Sequence, residues 1–440
     1  MGQAQIEREN PRGPQPGVFS FLGAYACLVS TFIWHPSPER FESANVVRLW
    51  RKLGCESYHE LHRLSIEQPD QFWPAVVDDL GLEFFRPWDR VLDTTDGIEW
   101  AKWFVGGELN IAQTCVHKWS SGDEAVVGLW EDGERTAMTW AELSQQVTKL
   151  AEALVMPMSP EVAVASNACA HVGAVQVPIF SGFAAPAIAA RLQDSGAKVV
   201  ICADWSLRRG ARVEMGAILD DALGEADQVE HVIAWDRVQR EWPELVREQP
   251  GRMQPVPLAA EHPYLLAYTS GTTGRPKGAL HVHAGFLVSI ARETAYQTDV
   301  KRGDRVHFAT DMGWIMGPWT VVGAGACGAT IVFAEGAPDR PEDRLWRTVE
   351  EERVTMLGVS PTLVRALIPK GEPRADTSSL KAIATTGEPW NPDPYVWLHE
   401  HVGGGRTPIV NLSGGTEVGA CFLSVCVAYP IKPVSLGFPA

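Results

Sequence analysis

The amino-acid sequence predicts an α/β fold in which parallel-rich sheets are covered by helices on both faces. The chain has 440 residues, of which 45% are hydrophobic and 21% are charged, so it can form a large buried core. In its second half, short apolar runs alternate with segments of helical spacing, a pattern typical of parallel strands joined by helices. The predicted strands are Val199–Ala203, Val232–Ala234, Thr330–Phe333, Thr355–Gly358 and Leu380–Ala384, and the helices between them include Glu342–Glu352 and Pro361–Leu367.

The first third of the chain is predicted to hold helices followed by a hairpin. Helical spacing prevails from Phe41 to Glu99. Ala125–Trp130 and the run 136–139 are two strand-like segments on either side of a Glu-Asp-Gly turn, which predicts a β-hairpin. Thr139 and Glu142 have the spacing of a capping box, so a helix is expected to begin there and to extend to about Ala153.

Charge and cysteine usage argue against several classes of protein. With 54 acidic and 38 basic residues the net charge is −16, which does not suit nucleic acid or an anionic membrane as a partner. The eight cysteines form no Cys-x-x-Cys pair, so we interpret them as reduced thiols of a cytoplasmic protein. Residues 16–34 are uncharged and approach the length that spans a bilayer. Their glycines and hydroxyls favour an atypical N-terminal extension, residues 1–33, over a signal or an anchor.

The most informative segment runs from Tyr268 to Gly278, with the sequence Tyr-Thr-Ser-Gly-Thr-Thr-Gly-Arg-Pro-Lys-Gly. Glycines let the backbone approach a ligand closely, and hydroxyls and backbone N–H groups can bind anionic oxygens. Lys277 adds a compact positive charge. Apolar runs on both sides, Tyr264–Ala267 and Ala279–Val282, indicate that the segment joins two strands. It is therefore predicted to bind the phosphates of a nucleotide.

Two other interpretations of this region fit the residues less well. The P-loop of kinases and GTPases requires a hydroxyl residue directly after the lysine and then a helix, whereas Gly278 follows Lys277 here. His281 and His283 could suggest a metal site, but no third ligand accompanies them, so a structural role is predicted.

The run Thr-Ser-Gly-Thr-Thr-Gly-x-Pro-Lys-Gly resembles the hallmark of the AMP-forming, adenylate-forming ligase superfamily. The segments Trp103–Asn110 and Asp311–Trp314 resemble its acetyl-CoA and acetoacetyl-CoA synthetase branch. The resemblance covers residues 34–440 and implies the superfamily's large N-terminal domain, with an arm at 34–120, sheet and helix subdomains at 121–440, and a partial β-barrel. It implies an acid–CoA ligase that uses ATP, Mg²⁺, coenzyme A and a short- to medium-chain carboxylic acid, with AMP as a product.

Individual roles are implied by the same resemblance. Lys277, Thr416 and Glu417 would be catalytic, and Glu417 would hold Mg²⁺. The nucleotide would be bound by Thr269, Ser270, Gly271, Thr272, Thr273, Gly274, Gly387, Glu388, Pro389, Ser413, Gly414, Gly415 and Thr416. The acyl pocket would be formed by Trp314, Ile315, Met316, Thr386 and Gly414. Coenzyme A would contact Gly182, Phe183, Arg208 and Arg212.

One departure from the family bears on the substrate. Acetyl-CoA synthetases place a tryptophan where Gly414 stands, and that side chain closes the pocket behind a two-carbon acid. Glycine has no side chain to form this wall. We therefore expect an acid larger than acetate and a partly apolar pocket.

Two further departures concern completeness. Relatives continue into a small C-terminal domain that carries a catalytic lysine, and this sequence is expected to lack that domain and to form the thioester poorly. The segment between Ala151 and Pro160 is shorter than in relatives, so the loss of one strand is expected. Two alternatives stay open: a non-catalytic nucleotide-binding fragment or pseudoenzyme, and another adenylate-forming ligase such as a peptide-synthetase domain.

Overall fold

The computed structural model describes residues 31–150, 154–251, 253–269 and 276–440. In the arm, four helices precede four short strands and a fifth helix. They are α1 (Pro38–Ser43), α2 (Asn45–Lys52), α3 (Tyr58–Glu67), α4 (Pro69–Leu80), β1 (Phe84–Arg86), β2 (Arg90–Asp93), β3 (Lys102–Val105), β4 (Glu108–Leu109) and α5 (Ile111–Cys115). The predicted helical run is therefore confirmed up to Leu80. It is wrong over β1 and β2, because β1 pairs with β4 and β2 pairs with β3.

Strands and helices alternate through the rest of the chain, as predicted. The helices are α6 (Trp140–Val147), α7 (Pro160–Val172), α8 (Ala185–Ser195), α9 (Met215–Leu223), α10 (Glu244–Arg247), α11 (His283–Arg292), α12 (Met316–Cys327), α13 (Arg344–Glu351), α14 (Pro361–Leu367) and α15 (Pro392–Trp397). The strands are β5 (Glu124–Leu129), β6 (Arg135–Thr139), β7 (Leu154–Val155), β8 (Val199–Ala203), β9 (Ser206–Arg208), β10 (Ala211–Val213), β11 (His231–Trp235), β12 (Leu258–Ala259), β13 (Pro263–Thr269), β14 (Lys277–Val282), β15 (Arg305–Phe308), β16 (Thr330–Ala334), β17 (Met356–Val359), β18 (Ala382–Thr385), β19 (Ile409–Gly415), β20 (Ala420–Ser424) and β21 (Phe438–Pro439).

Two local predictions can be checked at the level of single hydrogen bonds. The β5–β6 hairpin is antiparallel, as expected. The capping box is present, because Thr139 accepts a hydrogen bond from the Glu142 backbone and the Glu142 carboxylate accepts one from the Thr139 backbone at 2.8 Å. The helix that begins there ends at Val147, earlier than the predicted Ala153, which lies outside the described residues.

A nine-stranded sheet forms the centre of the fold, in the order β21-β20-β19-β18-β17-β15-β16-β5-β6. Its six inner strands, from β19 to β5, pair in parallel, and antiparallel strands complete both edges. Because the inner strands are parallel, their carboxyl ends meet at one edge of the sheet.

Residues of the inner strands alternate between two hydrophobic clusters. Met356, Ala382 and Ala384 belong to a cluster that also contains residues of α11 and α12. Leu357 and Ile383 belong to a second cluster that contains residues of α13, α14 and α15. The sheet is therefore buried on both faces, as the apolar character of its strands predicts, and the α/β fold class is confirmed.

The second parallel sheet corrects an expectation. Its order is β11-β8-β7, and β7 pairs with β8 at the register Leu154↔Ile201 and Val155↔Cys202. The shortened segment before Pro160 was expected to lack a strand altogether. That expectation was wrong, because two residues still reach the edge of β8 and cover it in part.

Shorter antiparallel pairings lie around these sheets. One is the sheet β1-β4-β12, and another is the hairpin β13–β14. That hairpin confirms that two strands flank the predicted phosphate segment. Residues 270–275 of the segment lie outside the described residues.

The predicted N-terminal extension lies almost wholly outside the described part of the chain, which begins at Thr31. Trp34 is described and bridges to Ile431 in an antiparallel pairing. Within the described ranges, none of the helices has both the length and the apolar character needed to cross a membrane.

Candidate active site

A large cavity, of about 1040 Å³, lies at the carboxyl edge of the nine-stranded sheet. Segments that follow β15, β17 and β18 line it, together with the β19–β20 hairpin. Residues 180–183 and the end of β9 also line it. Ligand sites of open α/β sheets form at this edge, because the loops after parallel strands converge there.

The wall after β15 is fixed by a buried aspartate. Asp311 accepts hydrogen bonds from the Ser181 hydroxyl at 2.5 Å and from the Gly313 backbone at 2.9 Å. Burial raises the pKa of Asp311, and these hydrogen bonds oppose that shift. Gly313 packs so closely that a Cβ there would lie 2.3 Å from the backbone nitrogen of Phe180. The Asp311–Met316 segment is therefore held firmly against the 180–183 segment.

This wall presents the residues that the resemblance assigned to the acyl pocket. Trp314, Ile315 and Met316 all line the cavity. Trp314 is 60% exposed and its ring lies 5.9 Å from that of Phe180. Thr386 and Gly414 line the same cavity from other strands, so the five predicted pocket residues lie around one space.

The segment after β18 lies beside them. Thr386, Gly387 and Glu388 line the cavity, whereas Pro389 is exposed and is not part of the lining. Gly387 has a φ of +97°, a conformation that only glycine adopts easily. Glu388 accepts a hydrogen bond from the Thr362 backbone at 2.9 Å and pairs with Arg365. Partial burial favours a higher pKa for Glu388, but these donors outweigh it and lower the pKa.

The β19–β20 hairpin brings the Thr-Glu pair to the cavity edge. Gly414, Gly415 and Thr416 line the cavity. Ser413 and Glu417 are not part of the lining, and Glu417 is exposed.

Gly414 has a second role within this hairpin. A Cβ on Gly414 would lie 2.2 Å from the Ala420 carbonyl oxygen, so the hairpin closes only because this position has no side chain. From the sequence, Gly414 was interpreted only as the absence of the tryptophan side chain that would close the acyl pocket. It is also required by the close approach of the two strands.

The phosphate hairpin meets the Thr-Glu turn through one histidine. His281, on β14, donates a hydrogen bond from Nε2 to the Thr416 carbonyl at 2.8 Å. Lys277 is exposed and pairs with Thr269 at the end of the β13–β14 ladder. It lies four residues from His281 on the same strand, which corresponds to about 13 Å. The other predicted phosphate ligands, Ser270, Gly271, Thr272, Thr273 and Gly274, lie outside the described residues.

Three of the four residues assigned to coenzyme A line the cavity. Gly182, Phe183 and Arg208 do so, and the Arg208 guanidinium lies 5.2 Å from the centre of the Phe180 ring. Arg212 is not part of the lining. It lies on β10, opposite Leu207 in the β9–β10 hairpin. There its side chain pairs with Glu214 at 2.5 Å and lies 4.4 Å from the ring centre of Trp205.

Several cavity residues had no place in the sequence-based site, and two of them are the buried, titratable His307 and Glu293. His307 donates from Nδ1 to the Val332 carbonyl at 2.8 Å, and burial lowers its pKa to about 4, so it is uncharged at neutral pH. Glu293 is only 1% exposed and begins a π-helical turn that runs to Gln297. The only signal for Glu293 in the sequence is an acidic residue directly after the apolar helix α11.

Magnesium would have to be held by few protein ligands. Among residues 31–150, 154–251, 253–269 and 276–440, no three His, Cys, Asp or Glu side chains cluster closely enough to hold a metal. The exposed Glu417 carboxylate beside Gly415 is compatible with Mg²⁺, which is commonly bound by one or two carboxylates together with substrate phosphates.

The chain is similar to known proteins over most of its length. A family model described as AMP-binding enzyme matches residues 113–440, and one described as acetyl-coenzyme A synthetase N-terminus matches residues 58–115. The acetyl-coenzyme A synthetase of Chlorobaculum tepidum is 36% identical over 431 residues, which cover 90% of this chain and 64% of that protein. The acetyl-coenzyme A synthetase of Deinococcus radiodurans is 36% identical over 448 residues, which cover 94% of this chain and 67% of that protein.

The fold of this chain is also similar to that of a solved structure. The acetoacetyl-CoA synthetase from Streptomyces lividans aligns with a TM-score of 0.85 and 28% sequence identity, over 92% of this chain and 67% of that one. The chain thus spans about two thirds of the length of the relatives and of the structure that it matches.

Proposed function

Since the chain belongs to the AMP-binding enzyme family, we propose that it activates a carboxylic acid with ATP and transfers the acyl group to coenzyme A. In the first step a carboxylate oxygen of the acid attacks the α-phosphorus of ATP, the bond to pyrophosphate breaks, and an acyl-adenylate forms. In the second step the thiol sulfur of coenzyme A attacks the acyl carbon, AMP leaves, and the thiol proton is released. The observation that carries this proposal is that the segments after β15, β17 and β18 and the β19–β20 hairpin all line one cavity.

The residues would contribute mainly by positioning and by neutralising charge. Gly387 and Glu388 would hold the adenine, and the Thr416 hydroxyl would contact a phosphate. Lys277 and the hydroxyls of the phosphate segment would bind the remaining phosphate oxygens. Bound to Glu417, Mg²⁺ would neutralise negative charge on the departing pyrophosphate.

The cavity lining also suits the two other substrates. Gly414 lines the cavity together with Ile315, Met316 and Thr386, and an acid larger than acetate would lie among these residues. Arg208 is a cation suited to a phosphate of coenzyme A, and it lines the same cavity as Gly182 and Phe183.

The test is carboxylate-dependent exchange between ATP and pyrophosphate, with acetate, propionate, butyrate, acetoacetate and hexanoate. We expect exchange with an acid larger than acetate, and a loss of at least about a hundredfold in Lys277→Ala and Glu417→Ala. Lys198→Ala and Glu230→Ala are matched controls, because these two surface residues form an ion pair with each other, at 2.9 Å, and neither lines the cavity. Thioester formation is measured separately, since it reports the second step.

Three outcomes would contradict the proposal or part of it. A folded sample that binds ATP but exchanges with none of the acids would favour a nucleotide-binding protein without ligase activity. Equal losses in the control variants would remove the assigned roles of Lys277 and Glu417. A preference for acetate would overturn the prediction made from Gly414.

A further inference from the structure

The β9–β10 hairpin carries three arginines that differ in their partners. Arg209 and Arg212 each pair with a carboxylate. Among the described residues, no carboxylate oxygen lies within 4.0 Å of a side-chain nitrogen of Arg208. Arg208 lines the cavity, and its Nη1 occupies the space that a Cβ on Gly182 would fill. Its guanidinium is therefore available to an anionic group of a ligand in the cavity.

The turn of this hairpin requires support from other elements. Its central residues, Arg209 and Gly210, both have left-handed backbones, with φ of +55° and +75°. Glycine adopts this conformation readily, but an arginine in it costs about 1 kcal/mol. The hairpin pairs only three residues of each strand, too few to be stable alone. The position of Arg208, at the end of β9, thus depends on contacts outside the hairpin.

Two glutamates make these contacts. Glu335, directly after β16, is 2% exposed and accepts a hydrogen bond from the Leu207 backbone at 3.0 Å. Glu131, two residues after β5, accepts one from the Gly210 backbone at 3.2 Å. The Glu335 carboxylate also accepts a hydrogen bond from the Glu131 backbone at 3.2 Å. Because β5 and β16 are adjacent in the nine-stranded sheet, these bonds attach the hairpin to that sheet at both its strand and its turn.

Guanidinium groups and indoles reinforce the same attachment. Arg237 pairs with Glu335 and lies over two rings, 4.6 Å from the centre of Trp130 and 4.4 Å from that of Trp205. Trp205 directly precedes β9, and Arg212 also lies over it, at 4.4 Å. Arg237 therefore connects Glu335 to the start of the hairpin.

Resting on the proposed function, we propose that Glu335 and Glu131 are positioning residues for coenzyme A: they hold the β9–β10 hairpin so that Arg208 binds a phosphate of this substrate. The ligand contact is made by Arg208, which is exposed, whereas the glutamates bind protein donors. The residues assigned to the nucleotide and to the acid belong to other segments of the chain. Loss of either glutamate should therefore weaken coenzyme A binding more than adenylation.

The experiment compares coenzyme A binding, by isothermal titration calorimetry, with ATP–pyrophosphate exchange in Glu335→Gln and Glu131→Gln. A glutamine offers only one acceptor oxygen, so a donor in each variant loses its partner. We expect coenzyme A to bind at least about fivefold more weakly in each variant, and exchange to fall by a smaller factor. Glu352→Gln is the matched control, because Glu352 is a buried glutamate that pairs with Arg135 and Arg305 and does not line the cavity. Coenzyme A binding should be unchanged in this control.

A double substitution separates positioning from a general loss of structure. Arg208→Ala removes the cation and should weaken coenzyme A binding about tenfold, with little effect on pantetheine, which has no phosphate. If Glu335 acts through Arg208, Glu335→Gln should cause no further loss in the Arg208→Ala background. A purely structural role of Glu335 would instead lower binding by the same factor in both backgrounds, and would lower exchange equally.

The outcomes keep this inference apart from the proposed function. Exchange in the wild type supports the function, and unchanged coenzyme A binding in both glutamine variants would then overturn the inference alone. An equal loss in the two backgrounds would also overturn it. If Glu335→Gln does not fold, Glu131→Gln decides, with and without Arg208→Ala. If no acid supports exchange, the proposed function fails and ATP binding replaces exchange as the reference. A wild type that does not bind coenzyme A overturns the inference.

Discussion

The two walls of the cavity are fixed by different means. The wall after β15, Asp311–Met316, is held by Asp311, which belongs to the wall itself and binds Ser181 and Gly313. The β19–β20 hairpin is held from outside, by Glu293 on one side and by His281 on the other. The first wall thus carries the acceptor of its own support and binds Ser181, 130 positions earlier, whereas both supports of the second wall belong to other elements, 128 and 135 positions earlier in the chain.

Because the two walls are supported differently, mutations in them should affect stability and exchange activity to different degrees. Removing the support of the first wall leaves the partly buried donors of Ser181 and Gly313 without the buried Asp311 carboxylate, so the folded state itself should lose stability. Removing a support of the second wall moves the residues assigned to nucleotide and acid, while the rest of the sheet keeps its contacts. Mutations that remove the support of the first wall should therefore cause the larger loss of stability. Mutations that remove a support of the second wall should cause the larger loss of exchange activity for a given loss of stability.

The largest effect is expected for Asp311→Ala. The Ser181 hydroxyl and the Gly313 backbone lose their common acceptor in a buried place, which should reduce the free energy of unfolding by about 3 kcal/mol. Urea denaturation followed by tryptophan fluorescence measures this loss.

Asp376→Ala is the matched control for that prediction. Asp376 also accepts hydrogen bonds from a serine hydroxyl and from a backbone N–H two residues later, both from Ser378, but it is exposed to solvent. Water can replace it, so a much smaller loss is expected. Similar losses in both variants would show that burial at Asp311 does not support the wall.

The sequence predicted correctly those elements that are determined by neighbouring residues. Alternating strands and helices predicted the parallel sheet. The family resemblance assigned Trp314, Thr386 and Gly414 to one pocket, and the three residues line one cavity. The capping box at Thr139 was correct to the individual hydrogen bond. In each of these cases, neighbouring residues or the general geometry of parallel strands decide the outcome.

Features that depend on packing between distant segments could not be predicted in this way. Glu293 has its effect only because α11 ends beside a hairpin that comes 128 positions later in the chain. Arg212 was assigned from an approximate match, and the register of the β9–β10 hairpin places it outside the cavity. The strand β7 forms because Leu154 and Val155 pair with the edge of β8, a pairing that no local sequence pattern indicates.

Gly414 allows the second wall to be tested directly. We expect Gly414→Ala to reduce the free energy of unfolding by about 2 kcal/mol, because a methyl group would collide with the Ala420 backbone. Gly415→Ala is the control, since the added methyl group would lie 3.3 Å from the flexible Glu417 side chain, and the change should stay within about 0.5 kcal/mol. Thermal denaturation of both variants distinguishes them, and an unaffected Gly414→Ala would mean that the hairpin can open without cost.

His281→Ala is expected to have the smallest effect on stability. It should also separate the loss of exchange activity most clearly from the loss of stability. The Thr416 carbonyl is only partly buried, so water can replace the lost donor and the free energy of unfolding should fall by about 1 kcal/mol. His262→Ala removes the same kind of bond, from Nε2 to the Gly173 carbonyl at 2.8 Å, at a residue that does not line the cavity. Both variants should lose similar stability, but only His281→Ala should reduce ATP–pyrophosphate exchange severalfold, because only His281 holds the turn that carries Thr416 and Glu417. Equal exchange in the two variants would mean that this turn keeps its position without the histidine, and the second wall would then depend on Glu293 alone.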